Sequence, residues 1–381
     1  MNTTAIKKRE IVVFAWGDFF GGGAQSLISV LYLIYLVDFI GISAGLAGTA
    51  ILISKVWDAI SDPIMGVISD NTRTKFGRRR PYIFFGGLLL IISFALLWYP
   101  TTTFGDGPKV IYAIATYLLY STVSTIIAVP YSSLSAEITT DVKMRNKVNV
   151  WRLVVSTLAV AVCTLVPSMV LESFKAGDIT IQTFYMIVGI GFALFFALPL
   201  ILIGIITRER VQMPKEKSVF EVKTFIEPLK NKTFFSLVKM YLAQSIAMDI
   251  IGTGIIFYSI YVAKGSSTIF LGTFIGVQLI LFPLIQVLIN KIDKKKIYYF
   301  GLPLAIVAFA GVGFYPSGWP IIGAYLLTAL TAIGFCGAQV MSWIIFPDTI
   351  DVAELKTNVR STGSFSGDRK STRLNSSHGK L

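Results

Sequence analysis

Ten apolar stretches of membrane-spanning length follow one another along this sequence, near 11–37, 43–69, 82–100, 110–131, 151–171, 181–207, 233–263, 267–290, 297–316 and 319–346. A hydrocarbon core about 30 Å thick takes roughly 20 apolar residues as a helix. The chain therefore reads as an all-α polytopic membrane protein. Gly21, Gly22, Gly23 and Pro283 inside the stretches fit that reading, because packed neighbours can satisfy freed backbone groups. Composition agrees: 14% of residues are charged, against about 25% in a soluble domain. The net charge of +13 does not point to nucleic acid, since the basic residues lie between the stretches rather than along one patch. Cys163 and Cys336 fall inside apolar runs and read as small buried hydrophobes, not as a disulfide or a zinc site.

The basic residues also set an orientation. Alternate loops, with the N-terminus and the segment after the tenth stretch, collect 25 Lys and Arg, whereas the opposite loops hold Lys109, Lys175 and Lys264. By the positive-inside rule, the N-terminus and the long polar segment 208–232 are expected in the cytoplasm. That segment separates six stretches from four. A weak echo links the halves: the second stretch ends in Asp70 and a basic loop, the eighth in Asp293 and Lys294, Lys295 and Lys296. Two six-helix halves of like topology are the build of the major facilitator fold. On this reading 1–207 is the first half, 208–232 a cytoplasmic linker, and 233–367 a second half that lacks its last two helices. Residues 368–381 (DRKSTRLNSSHGKL) read like a translated sequencing adapter, expected where the reading frame ran off a contig end, and are set aside. His378, the single histidine, goes with them. No triad, histidine metal site or imidazole relay is then expected, so neither an enzyme nor a cofactor.

Charges inside the stretches carry the functional reading, because each costs about 2.5–3.5 kcal/mol in mid-membrane. Asp18 stands in WGDFFGGG, where glycines permit close approach of a backbone or a ligand. Lys55, Asp58 and Asp62 in KVWDAISDP share one helical face by their spacing of three and four. Two nearby carboxylates either ionise together around a cation or keep one acid protonated, its pKa raised. That suits Na⁺ coordination or proton exchange, with a structural salt bridge through Lys55 as the plainer reading. Pro63 frees a carbonyl beside the pair. The GRRRP run with Arg78 and Arg79 is a topology signal, and with Asp70 it suggests a gate of charge pairs. Trp57, Tyr120, Tyr131 and Trp343 are near enough in sequence to line a cavity.

The string WDAISDPIMGVISDNTRTKFGRRRP (57–81) resembles the second helix and following loop of the glycoside, pentoside and hexuronide cation symporters, the melibiose permease type. WGDFF at 16–20, AVPYSSLSAEIT at 128–139 with Trp151 and Arg152 downstream, and FPDTIDVAELKTNVRSTG at 346–363, the loop after helix ten, follow in the family's order. The resemblance implies that Asp58 and Asp62 bind the coupling cation, Na⁺ or H⁺, with Thr125 as hydroxyl ligand and Ser61 beside the site. It implies that Asp18 and Arg152 contact a sugar, with Tyr120, Ala128 and Ser132 lining the substrate site. Ala128 stands where the family pattern has a second sugar-binding Asp, Ser132 where it has a stacking Trp, and Ser61 where it has an Asn. The first two changes argue against an α-galactoside, and the third leaves the cation open.

The implied protein is a monomeric secondary transporter of a bacterial inner membrane, crossing lipid many times and working by alternating access on a small sugar and a monovalent cation. Two other readings stand beside it: the same fold carrying a non-sugar solute such as a lysolipid, and a non-transporting membrane sensor, for which a large cytoplasmic domain is expected.

Overall fold

A computed structural model of the chain describes residues 6–211, 232–263, 267–289, 292, 294–316 and 318–357. The sequence segments 212–231 and 358–381, and so most of the expected linker and the whole tail, lie outside the described residues. The described residues fold into ten long helices with no strand. They are α1 Lys8–Phe39, α2 Ala44–Asn71, α3 Arg80–Leu97, α4 Asp106–Glu137, α5 Val142–Lys175, α6 Ile181–Ile206, α7 Lys232–Phe257, α8 Ser267–Leu288, α9 Lys294–Phe314 and α10 Ile321–Thr357. Seven are long and apolar enough to cross a bilayer by length and composition.

Each helix falls on one of the ten apolar stretches, and the differences lie at the ends. Arg145, Lys147 and Arg152, expected in or beside a loop, stand on α5, whose helix starts at Val142. Extending a formed helix adds one hydrogen bond per residue fixed, so polar flanks propagate it cheaply. The same correction applies to 346–357, expected as a loop and found as the last turns of α10. α1 departs from a plain α-helix in two π-turns, Phe19–Ala24 and Tyr35–Phe39. The first follows Asp18 directly, and such bulges concentrate at functional sites.

The first six helices share one apolar core, running from Phe14 and Leu27 of α1 through Leu90 and Phe94 of α3 to Phe196 and Leu200 of α6. A separate core in α7–α10 gathers Ile255, Phe270, Phe274 and Phe335. Close approach inside the first bundle needs glycine at 17, where an added Cβ would stand 2.6 Å from both Ile203 and Tyr131. α2 shows how sequence periodicity aims the site. Leu52, Val56 and Ile60 recur every four residues and are exposed, as a lipid-facing stripe should be, while Ser54, Asp58, Ser61, Asp62 and Met65 turn inward and are buried. Trp57 rides on the outer side, 40% exposed, with its indole N–H donating to Thr122 Oγ1 at 2.9 Å, so it lines no site within the bundle. The Trp343 side chain lies outside what is described.

Candidate functional site

Three buried clusters of charge occupy the first bundle. The first joins α1, α4 and α5. Arg152 Nε donates to Asp18 Oδ2 at 2.6 Å and Nη2 to Asp18 Oδ1 at 3.3 Å, a two-pronged fork on one carboxylate. Tyr131 donates its hydroxyl toward Asp18 Oδ2 at 2.9 Å and the Phe14 carbonyl at 2.7 Å. The guanidinium carbon lies 4.4 Å from the centre of the Tyr131 ring, stacked as well as bonded. All three side chains are buried. Asp18 and Arg152, each expected as a sugar contact, are thus bonded to one another, and Tyr131 joins them as a hydrogen-bond donor.

The second cluster joins α2 and α4. Asp62 Oδ1 accepts from Thr125 Oγ1 at 2.7 Å, and Ser61 Oγ lies 3.3 Å from the same hydroxyl. Asp58 Oδ1 accepts from Ser121, and Lys55 Nζ stands 3.6 Å from Asp58 Oδ2. The plainer expectation, a salt bridge through Lys55, is therefore realised for Asp58. Ser121 and Thr125 are one helical turn apart on α4, so two hydroxyls of one helix meet two acids of its neighbour. A cavity of about 20 Å³, lined by Gln25, Ser54, Lys55, Asp58, Tyr120 and Ser121 among others, adjoins Asp58. That volume admits one water-sized guest. Carboxylate and hydroxyl oxygens are the donors that hard cations prefer. Ala128 and Ser132 continue the α4 stripe and are half-buried. Ser132 donates its hydroxyl to the Val129 carbonyl of its own helix at 3.0 Å.

The third cluster closes the basic end of the bundle. Arg79 pairs with Asp70 and, at 3.0 Å, with Glu137 Oε1, while Arg78 reaches the same Glu137 oxygen at 2.6 Å and Asp70 at 3.9 Å. Burial opposes the Arg79 charge, but Glu137 and Asp70 outweigh it and hold its pKa above the usual guanidinium value. The Glu209 carboxylate accepts the backbone N–H groups of Arg78, Arg79 and Arg80 at 2.9, 2.8 and 3.2 Å, capping the positive end of α3. Gly77 makes room for it: its φ is +104°, and an added Cβ would lie 2.5 Å from Glu209 Oε1. Arg80 in turn donates to the Gly204 and Ile205 carbonyls that end α6, both at 3.0 Å. The expected trio Asp70, Arg78 and Arg79 is brought together, and these contacts tie helices within one bundle.

Sequence reasoning missed Glu137, Glu209, Ser121 and Gln25. Glu137 carried a signal: it is an acid at the basic end of α4, and the run of three arginines needed a counter-charge. Ser121 also had one, since it lies four residues before Thr125.

The model of the family described as MFS/sugar transport protein matches residues 13–370, and the chain belongs to that family. It is a multi-pass transport protein of the major facilitator type, and its family and neighbours are transporters, not enzymes. It is similar to the glucuronide carrier protein homolog of Escherichia coli strain K12, 26% identical over 363 residues that cover 93% of this chain and 78% of that protein. The isoprimeverose transporter of Lactiplantibacillus pentosus is 24% identical over 92% of this chain and 73% of its own length. Among solved structures, the proton:xylose symporter XylE bound to 6-bromo-6-deoxy-D-glucose aligns with a TM-score of 0.63. It covers 97% of this chain and 86% of that one at 13% identity, a likeness of fold alone.

Proposed function

We propose that this protein moves a sugar (a glycoside, pentoside or hexuronide) together with Na⁺ or H⁺ by alternating access. Asp58 and Asp62 hold the cation with Thr125 and Ser61, and Ser121 completes the oxygen set. Asp18 and Arg152 bind sugar hydroxyls with Tyr131 steadying the fork, and Ala128 and Ser132 of α4 together with Tyr120, on the cavity beside Asp58, line the rest of the substrate site. Asp70, Arg78 and Arg79 act with Glu137 as the charge pairs of the gate. The halves 1–207 and 233–367 rock about the linker 208–232, the protein works as a monomer, and its basic end faces the cytoplasm. The separate apolar cores of α1–α6 and α7–α10 support two bodies. The bias of Lys and Arg supports the orientation.

One observation carries this reading: two kinds of buried carboxylate stand in one bundle, Asp18 already gripped by a guanidinium and Asp62 met by the hydroxyl of Thr125. A cation entering the second site neutralises acids that would otherwise repel, and so favours the state that binds sugar. By linkage, sugar then raises cation affinity by the same factor. The names of two relatives add the sugar class, a glucuronide in one and isoprimeverose, a pentose-containing disaccharide, in the other.

The test is uptake into proteoliposomes of labelled isoprimeverose and phenyl β-D-glucuronide under an inward Na⁺ gradient, an inward proton gradient, or neither. One sugar should accumulate under one gradient and not without it. Uptake of neither above protein-free liposomes under any gradient refutes sugar symport.

A further inference from the structure

Among the described residues, the two bundles meet through apolar side chains near their basic ends. Val150 and Leu153 of α5 join Phe282 and Ile285 of α8 and Cys336, Val340, Met341 and Ile344 of α10. Ala136, next to last on α4, meets Leu237 and Val238 of α7. An apolar seal is best made of apolar residues, yet two carboxamides stand in or beside this one. Gln278 is 1% exposed and, among the described residues, its Nε2 has no acceptor, while Asn149 is 2% exposed and neither its Nδ2 nor its Oδ1 finds a partner among them. Exchanging the amide's oxygen and nitrogen cannot rescue Asn149, since both ends are unbonded. Buried amides without partners are rare because they forgo hydration and gain nothing in return.

Helical spacing says where each stands. Gln278 precedes Phe282 by four residues and Ile285 by seven, so it shares their face of α8, one turn farther from the basic end. Asn149 precedes Arg152 by three and Leu153 by four, one turn nearer the basic end of α5. Along their own helices the two amides stand at opposite edges of the seal: Gln278 lies one turn beyond Phe282 on α8, and Asn149 lies beside Val150 toward the basic end of α5.

We infer that Gln278 and Asn149 are successive hydroxyl ligands of the transported polyol on the two sides of the seal. Gln278 binds it beside the fork while the seal is shut, and Asn149 takes it up once the seal parts toward the basic side. A carboxamide offers two donors and an acceptor side by side, which matches neighbouring hydroxyls of a sugar and adds no charge to compete with the fork. The inference rests on the sugar-transport reading and extends it to a substrate contact from the second bundle.

The experiment uses the full chain in proteoliposomes with isoprimeverose and phenyl β-D-glucuronide, assayed from each face, and the near-isosteric variants Gln278→Leu and Asn149→Leu. Gln278→Leu should raise KM from the face opposite the basic end by about tenfold, the loss of one hydrogen-bonded group. Asn149→Leu should leave that KM within about twofold and raise KM from the basic face by a similar tenfold factor. The cation concentration for half-stimulation should move by neither. A second readout needs no turnover: Gln278→Cys, in a chain with Cys163→Ala and Cys336→Ala, should be alkylated more slowly when either sugar is bound. Unchanged KM from both faces in a transporting protein, or alkylation indifferent to sugar, overturns the inference and leaves sugar symport standing, with the amides satisfied by water. A parallel loss of cation response assigns them to packing and also overturns it. If the parent protein transports neither sugar, the transport reading fails first and this inference with it.

Discussion

Asp18 and Asp62 are both buried carboxylates in one helical bundle, yet their neighbours give them opposite characters. Asp18 receives a guanidinium fork at 2.6 and 3.3 Å and a phenol at 2.9 Å, so the compensating positive charge is built into the protein. Asp62 is met by the Thr125 hydroxyl at 2.7 Å, a donor that lends a proton's polarity but no net charge. Asp58 is intermediate in character, with Ser121 on one oxygen and the Lys55 ammonium 3.6 Å from the other. A carboxylate with its counter-ion fixed in place can present a rigid polar surface to a neutral polyol. A carboxylate that accepts from hydroxyls instead gathers hard oxygen donors, the kind a mobile cation prefers.

The contrast breaks most visibly if the hydroxyl-cradled acid turns out not to matter. Asp62→Asn keeps the shape and the Thr125 contact but removes the charge, and it should abolish cation stimulation. The loss should be the whole coupling factor, on the order of 100-fold. Uptake with and without the cation, at equal amounts of inserted protein, measures it. Stimulation that survives removes Asp62 from coupling.

Next in size is the fork. Arg152→Lys retains the charge beside Asp18 but gives up the planar pair of donors and the stacking on Tyr131. Sugar KM should rise by about 10- to 100-fold, the range for one or two hydrogen bonds to a charged group. Half-stimulation by the cation should hold within about threefold, because the two acids belong to different clusters. Equal damage to both parameters would mean that the clusters act as one unit, and the comparison would dissolve.

Lys55 gives a smaller and more diagnostic effect. Its ammonium competes with any cation at Asp58, so Lys55→Met should lower the Na⁺ concentration for half-stimulation several-fold, as removal of a nearby like charge in a screened environment predicts. A rise instead would show that Lys55 helps to build the site rather than to tune it.

The parts of this arrangement visible in the sequence are those that depend on local period. Spacing alone put Lys55, Asp58 and Asp62 on one face of α2, and the exposed stripe of Leu52, Val56 and Ile60 shows why: lipid takes the apolar side and leaves the acids inside. The ten helices were equally legible, because the bilayer fixes their length. What was hidden was pairing across helices. Glu137 lies 58 residues from Arg79 and Glu209 lies 131 from Arg78, distances at which no periodic pattern relates one residue to another. The role of Tyr131 was hidden for the same reason. It was legible as a possible wall of a cavity, but its bond to Asp18 depends on α1 and α4 touching at Gly17.

The hydroxyls of α4 sharpen the contrast at its finest scale. Thr125 sends its proton across to another helix, whereas Ser132, two turns on, spends its own on the Val129 carbonyl at 3.0 Å. A hydroxyl satisfied within its helix gains little by leaving it for a sugar, since it exchanges one bond for another of similar worth. Ser132→Ala should therefore change sugar KM by no more than about twofold, the scale of a fraction of one hydrogen bond. Thr125→Val, nearly the same in volume, should weaken the cation response by about tenfold, because it leaves a buried carboxylate short of a donor. Parallel titrations of sugar and cation on the two variants decide the point. If Ser132→Ala proves the more damaging, the α4 stripe binds substrate along its whole length, and the division between a cation end and a polyol end must be redrawn.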